Sequence, residues 1–201
     1  MHNWQFFDRI TCLTLGGDEW TQAQAEFNAV SIPVKPFHAL KAIGPHESFN
    51  LSTYAILKEF YDSKDQTLLF LEDDCDFRNL HLLPQVLKEL PKDFDIFYLG
   101  GNLQDERPQR VGKYIFKVTG CWTTHAVVYR KSIVKYILDH HPGESDLMYD
   151  TWLSTQLHLF KAYMVAPMLA YQRPRVSSIW GGVQNYHSIF ESSENRLMAC
   201  R

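Results

Sequence analysis

Absences narrow the field first. The chain has no C-x-x-C pair, no G-x-x-x-x-G-K loop to cradle a phosphate, and no apolar run approaching the roughly 20 residues that span a bilayer. Its four cysteines, Cys12, Cys75, Cys121 and Cys200, stand far apart, which excludes a dense disulfide framework and points to a reducing compartment. Charge of one sign is lacking too: 20 Lys and Arg face 23 Asp and Glu, a net charge of -3. Nothing there offers the basic surface that nucleic acid demands, so no nucleic-acid partner is expected. Residues Met1 to Phe7 carry no basic segment followed by an apolar one, so neither a secretory leader nor a transmembrane segment is expected. The expected location is cytoplasmic, with any membrane-borne substrate met peripherally. There is no repeat, low-complexity tract or interdomain linker, and 201 residues bury one core well, so residues 1–201 read as a single domain.

What is present alternates between strand and helix. Ile10 to Leu15 is a β-prone run stopped by Gly16-Gly17, and Asp18 to Val30 is rich in helix formers with Asp18 placed to cap it. Val34 to Leu40 reads as a short strand, and Ser48 to Phe60 as an amphipathic helix. Thr67 to Leu71 is an unbroken apolar run, the pattern of a strand buried on both faces. Leu80 to Leu90 reads as helix and Phe94 to Leu99 as another buried strand. Tyr114 to Val118 and Thr123 to Tyr129 read as strands, Ser132 to His140 and Asp150 to Phe160 as helices, and the tail from Pro174 as mostly loop. Elements of these lengths predict a three-layer α/β/α domain with a mostly parallel mixed sheet, whose ligands bind beyond the strand C-termini.

The apolar run ends abruptly in Glu72-Asp73-Asp74-Cys75-Asp76. Carboxylates crowded at a strand end repel one another unless a cation or a set of donors offsets their charge. Hard oxygens without a nearby thiolate pair suit Mn²⁺ or Mg²⁺, ions that share their shell with substrate phosphates. A solvated acidic turn is the plainer alternative.

Leu69-Phe70-Leu71-Glu72-Asp73-Asp74-Cys75-Asp76-Phe77 resembles the strand-then-acid motif of A-type-fold (GT-A) nucleotide-sugar glycosyltransferases, especially the family 25 lipopolysaccharide and collagen galactosyltransferase group. Gly44 to Lys58, Asp95 to Gly101, and Ala166 to Gln172 followed by Ser177-Ser178 are similar to other segments of that family. The likeness is loose outside the acidic motif. Two departures stand out: Thr14-Leu15-Gly16-Gly17 replaces an Asn-Leu and an Arg, and Glu47-Ser48-Phe49 replaces a Gly-Cys.

The resemblance implies a Rossmann-like nucleotide-diphospho-sugar transferase that moves a hexose to a glycan hydroxyl with inversion, in bacterial or viral surface-glycan or glycoprotein synthesis. It implies a nucleotide-diphosphate sugar as donor, UDP-hexose favoured, and a glycan or glycoprotein as acceptor. Thr14, Leu15, Ser48, Asn50, Glu72, Asp73 and Asp74 fall at donor positions. Glu72 and Asp74 match the outer acids of the motif as metal ligands. Asp76 is an extra acid that either joins the metal or solvates the following turn, and His187 is a candidate to complete the metal shell or to touch the diphosphate.

Transfer needs a base on the acceptor hydroxyl opposite the leaving diphosphate. The resemblance places Asp150 there, with Asp146 second, while Asp150 is equally well placed as a helix N-cap. Gly101, Asn102, His125 and Trp180 are candidates for the acceptor side, against the plainer readings of turn, core histidine and packed tryptophan. Trp122 also offers a stacking face, and Arg173 and Arg175 are either phosphate ligands or surface residues beside Pro174. Two other classes compete: a metal-dependent phosphotransferase or nuclease, and a carbohydrate-binding relative without turnover. A glycoside hydrolase gives no reason for acids to crowd one strand end.

Overall fold

The computed structural model describes residues 3–143, 145, 147–176 and 181–200. In chain order the elements are β1 (Arg9–Thr14), α1 (Gly17–Ala29), β2 (Lys35–His38), α2 (Pro45–Asp62), β3 (Thr67–Glu72), β4 (Cys75–Phe77) and α3 (Leu83–Glu89). There follow β5 (Ile96–Tyr98), β6 (Asn102–Leu103), β7 (Gln109–Arg110), β8 (Ile115–Lys117), β9 (Cys121–Trp122), β10 (Ala126–Arg130), α4 (Lys131–His140) and α5 (Tyr149–Gln156). The chain closes with β11 (Ala162–Val165), β12 (Ala170–Gln172), β13 (Arg175–Val176), β14 (Val183–Gln184) and α6 (His187–Ala199). The main sheet has eight strands in the order β2-β1-β3-β10-β5-β11-β8-β7. All its strands point one way except β8 and β10, which run against their neighbours.

Both faces of that sheet are covered, which explains why β3 reads as an unbroken apolar run. Successive side chains point to opposite faces. Leu68 and Phe70 pack with α2, α4, α5 and α6 through Leu57, Ile137, Leu153 and Phe190. Leu69 and Leu71 pack with α1 and α3 through Phe27 and Val86. The expected three-layer α/β/α architecture is therefore present, built on a mostly parallel mixed sheet.

Two local expectations are corrected. The tail beyond Pro174 contains α6, a full helix that buries only Phe190, Ser193 and Leu197. A stripe that narrow on a polar helix gives little periodic signal. Asp18 lies in the first turn of α1 and Gly16 precedes the helix, with a φ of 86° that favours glycine.

Gly100 sets the geometry of the functional edge. A Cβ there would lie 1.9 Å from the Ala170 carbonyl oxygen. Only glycine lets the chain after β5 pass this close to β12, where Leu169 N and Ala170 N donate to Leu99 O at 2.8 and 3.1 Å. That contact carries Gln172, Arg173 and Arg175 to the ends of β1 and β3. Among the described residues no helix is long and apolar enough to cross a membrane.

Candidate functional site

The C-terminal ends of β1 and β3, the N-terminal end of β10 and the turn after β5 meet at one edge of the sheet, where two adjoining cavities open. The larger, 470 Å³, is lined by Glu72, Asp74, Asn102, Trp122, Thr123, Thr124, Asp150, Arg173 and Arg175, among others. The smaller, 160 Å³, is lined by Thr14, Leu15, Ser48, Glu72, Asp73 and Arg175 with apolar neighbours. Phe49, Glu72 and Arg175 belong to both, so the acidic turn forms the partition.

Each acid has its own partners. Glu72 leaves β3 with its N–H bonded to His125 O at 3.0 Å, and its Oε1 accepts from Thr124 Oγ1 at 3.1 Å. Burial, and then the charge of Asp74, push its carboxyl up to about 8. Asp73 accepts from the Leu15 backbone N–H at 3.3 Å and from Arg175 Nη1 at 2.5 Å. Asp74 Oδ2 takes Arg175 Nε at 3.0 Å and Gln172 Nε2 at 3.2 Å. Burial raises Asp74 to about 6, against the pull of Arg175. Its second oxygen, Oδ1, is buried without a hydrogen-bond partner.

The charge of the crowded acids is thus offset here by Arg175, which is only 21% exposed. Arg173, 11% exposed, anchors the same segment by pairing with Glu26 at 2.7 Å and donating its backbone N–H to Asp74 O at 2.8 Å. These are not surface arginines. Gln172, Thr124 and Tyr186, absent from the sequence reading as site residues, complete the walls together with Gln184. Only the Gln-Arg-Pro-Arg run pointed toward them.

Asp150 lies in the first turn of α5 and lines the larger cavity with Glu72 and Asp74. It is not the helix N-cap, because Met148 precedes the helix. The first N–H, that of Tyr149, is instead taken at 2.9 Å by Asn50 Oδ1 from α2. Asp150 accepts from Thr151 N at 2.6 Å and from Thr123 N at 3.3 Å. Thr123 holds that pose at a φ of 70°, in the left-handed region where a β-branched residue is strained.

Other expected site residues fall elsewhere. Asn50 does not face a donor: it is fully buried, and its Nδ2 donates to Ser145 O and Leu147 O at 3.3 and 2.9 Å. It pins the loop that delivers Asp150. Asn50→Ala is expected to lower unfolding free energy by about 2–3 kcal/mol in urea denaturation, since buried backbone groups lose their partners. A loss below about 0.5 kcal/mol would contradict this role.

Gly101 is buried and lines neither cavity. A Cβ there would lie 2.5 Å from Cys121 Sγ, so this glycine serves close packing and not an acceptor. His125 is fully buried, bonded to Ala170 O at 3.3 Å and packed on Phe190, so burial lowers it to about 4 and keeps it neutral. It is a core residue. Asp76 points to Arg78, with Nη2 at 2.9 Å, and lines neither cavity. His187 stacks on Tyr171, with ring centroids 5.2 Å apart, approaches Glu191 and lines neither cavity. Ser48 lines the smaller cavity while its Oγ is tied to Gly44 O at 2.7 Å and Ala42 N at 3.0 Å. Asn102 and Trp122 do face the larger cavity. Asp146, Ser177, Ser178 and Trp180 lie outside the described residues.

Among the described residues no group of three or more His, Cys, Asp and Glu side chains is gathered to hold a metal. Glu72 and Asp74 line the larger cavity as a pair, and Oδ1 of Asp74 is buried without a partner. That donor set fits Mg²⁺ or Mn²⁺, which take one or two carboxylates and complete their shell with water and substrate phosphate.

The fold has counterparts among solved structures. Among solved structures it is similar to A197 from STIV, at 15% identity and a TM-score of 0.53, over 89% of this chain and 95% of that one. It is also similar to S. aureus TarS in complex with UDP-GlcNAc, at 12% identity and a TM-score of 0.55, over 94% of this chain and 66% of that one. No protein-family model matches the sequence, and no curated protein matches it.

Proposed function

We propose that the protein is a glycosyltransferase of the A-type fold, nearest in its motif to the family 25 group, that moves a hexose from a nucleotide-diphosphate sugar to a glycan hydroxyl. One observation carries this reading. Two adjoining cavities meet at a half-buried acid, Glu72, and a half-buried arginine, Arg175, and a second carboxylate, Asp150, lines the larger of them. The nucleotide takes the smaller cavity, against Thr14, Leu15 and Ser48, and the diphosphate lies at the partition. The hexose and acceptor share the larger cavity with Asn102 and Trp122, whose exposed face suits a sugar ring.

Glu72 and Asp74 are the residues that would hold Mn²⁺ or Mg²⁺. Such a cation, when bound, offsets the charge that develops on the departing diphosphate. Asp150 accepts the proton of the acceptor hydroxyl, held in place by Thr123 N–H and Thr151 N–H, so the new bond forms on the face opposite the leaving group and configuration inverts. In this reading the chain acts as one catalytic domain in the cytoplasm, and its acceptor is a surface glycan or glycoprotein glycan.

The test is calorimetric titration of UDP-, GDP- and dTDP-sugars with and without Mn²⁺, UDP sugars first because TarS holds one. Metal-dependent binding of one nucleotide, lost in Asp74→Ala, is expected. Failure of all three nucleotides to bind, with or without metal, would remove the reading.

A further inference from the structure

Arg175 has a part in the cleft that the transfer step leaves unused. Its guanidinium lines both cavities and lies 2.5 Å from Asp73 Oδ1 and 3.0 Å from Asp74 Oδ2. Asp74 is only half engaged: Oδ2 carries Arg175 and Gln172, whereas the buried Oδ1 carries nothing. A guanidinium and a divalent cation on one buried carboxylate repel each other strongly, because little water screens them. The backbone around Arg175 is fixed by Arg173, through Glu26 and the Asp74 carbonyl, so the Arg175 side chain is the part free to change partner.

We propose that Arg175 is a tethered counter-cation. In the metal-free protein it occupies Asp73 and Asp74, it competes with the divalent cation for Asp74, and once displaced it binds the diphosphate of the donor. The last of these rests on the nucleotide-sugar reading; the competition for Asp74 does not. A planar guanidinium suits both partners, since it forks onto carboxylates and phosphates alike.

Two titrations on the full chain separate these claims: Mn²⁺ alone, then UDP at saturating Mn²⁺, each with the parent, R175Q and R175K. R175Q is expected to bind Mn²⁺ alone about tenfold more tightly, because one positive charge beside the ligand oxygen is gone. R175K should fall between, its ammonium being unable to bridge both acids. UDP should bind R175Q about tenfold more weakly. Opposite signs are the signature, since an arginine that merely ordered the acids would weaken both when removed.

Mn²⁺ binding to R175Q no tighter than to the parent, or absent from both, overturns the competition. UDP binding unchanged in R175Q overturns the diphosphate role. Tighter Mn²⁺ binding with no UDP binding by any form upholds the competition and removes the nucleotide-sugar reading instead. If circular dichroism shows R175Q unfolded, R175K decides, and Mn²⁺ binding no tighter than the parent's overturns the competition.

Discussion

Asp150→Asn is expected to leave nucleotide-sugar and Mn²⁺ binding within about twofold of the parent and to lower sugar transfer by about 10²–10⁴-fold, the span assigned to a positioned general base. The amide keeps the size of the side chain, but Thr123 N and Thr151 N donate to different oxygens of Asp150, so the single amide oxygen retains one of these bonds and gives up the other. What it loses is the capacity to take a proton. Because Asn50 caps α5, the stability cost is confined to the one lost hydrogen bond, about 1 kcal/mol, and a thermal melt on the same samples separates loss of chemistry from loss of fold. Parent-like turnover in D150N would move the base elsewhere. Absence of turnover in both proteins, with donor binding retained, would favour a carbohydrate-binding relative.

The second large effect is on stability against pH. In EDTA the melting temperature is expected to fall by roughly 5 °C or more between about pH 5 and 8. Glu72 is raised to about 8 and Asp74 to about 6, chiefly by burial, against ordinary values of 4.5 and 3.8. Through that window the folded protein keeps protons that the unfolded chain has released. The unfolded state therefore binds fewer protons, and stability drops as pH rises, with the contribution of this pair flattening above about 8. Mn²⁺ needs the carboxylates ionised, so the stabilisation it confers should grow with pH over the same range. Glu72→Gln should remove most of the metal-free slope. A flat melting temperature across pH 5 to 8 in EDTA, or an unchanged slope in E72Q, would contradict the assigned burial.

Legibility in the sequence followed the range of the interactions. The β3 run was readable because burial on both faces leaves it uniformly apolar, and the acids were readable because their position at its end has no packing reason. Helices α2 and α4 announced themselves through their buried stripes. The partners of the acids were not readable in this way. Arg175 reaches Asp73 across a sequence separation of 102, and it does so only because Gly100 lets β12 pass close to the end of β5.

Asn50 is a similar case. Its bond to Tyr149 spans a separation of 99, so a small polar residue on α2 is drawn to a donor by analogy and to a helix end by the actual packing. His125 is neutral core because the strand it enters is central, a fact set by the order of strands and not by local pattern. Asp76 lies in β4, beyond the turn that holds Asp73 and Asp74, and is drawn to Arg78 two residues on, a local pairing that competes with any metal.

The two reversed strands have a practical consequence. Because β10 enters the sheet where β1, β3 and β5 leave it, binding groups from distant parts of the chain crowd one rim, while the opposite rim includes the connection 91–95 before β5. Pro91, Lys92 and Asp93 there are held by a few peripheral contacts, among them the Lys161–Asp93 pair at 2.6 Å. An affinity handle, a fluorophore or a junction to another protein placed at 92–93 would attach the molecule by its back. Fixed to a bead or a sensor chip in that way, the protein presents its cleft to solution, a ready format for screening sugar donors and acceptors whose identity is to be found.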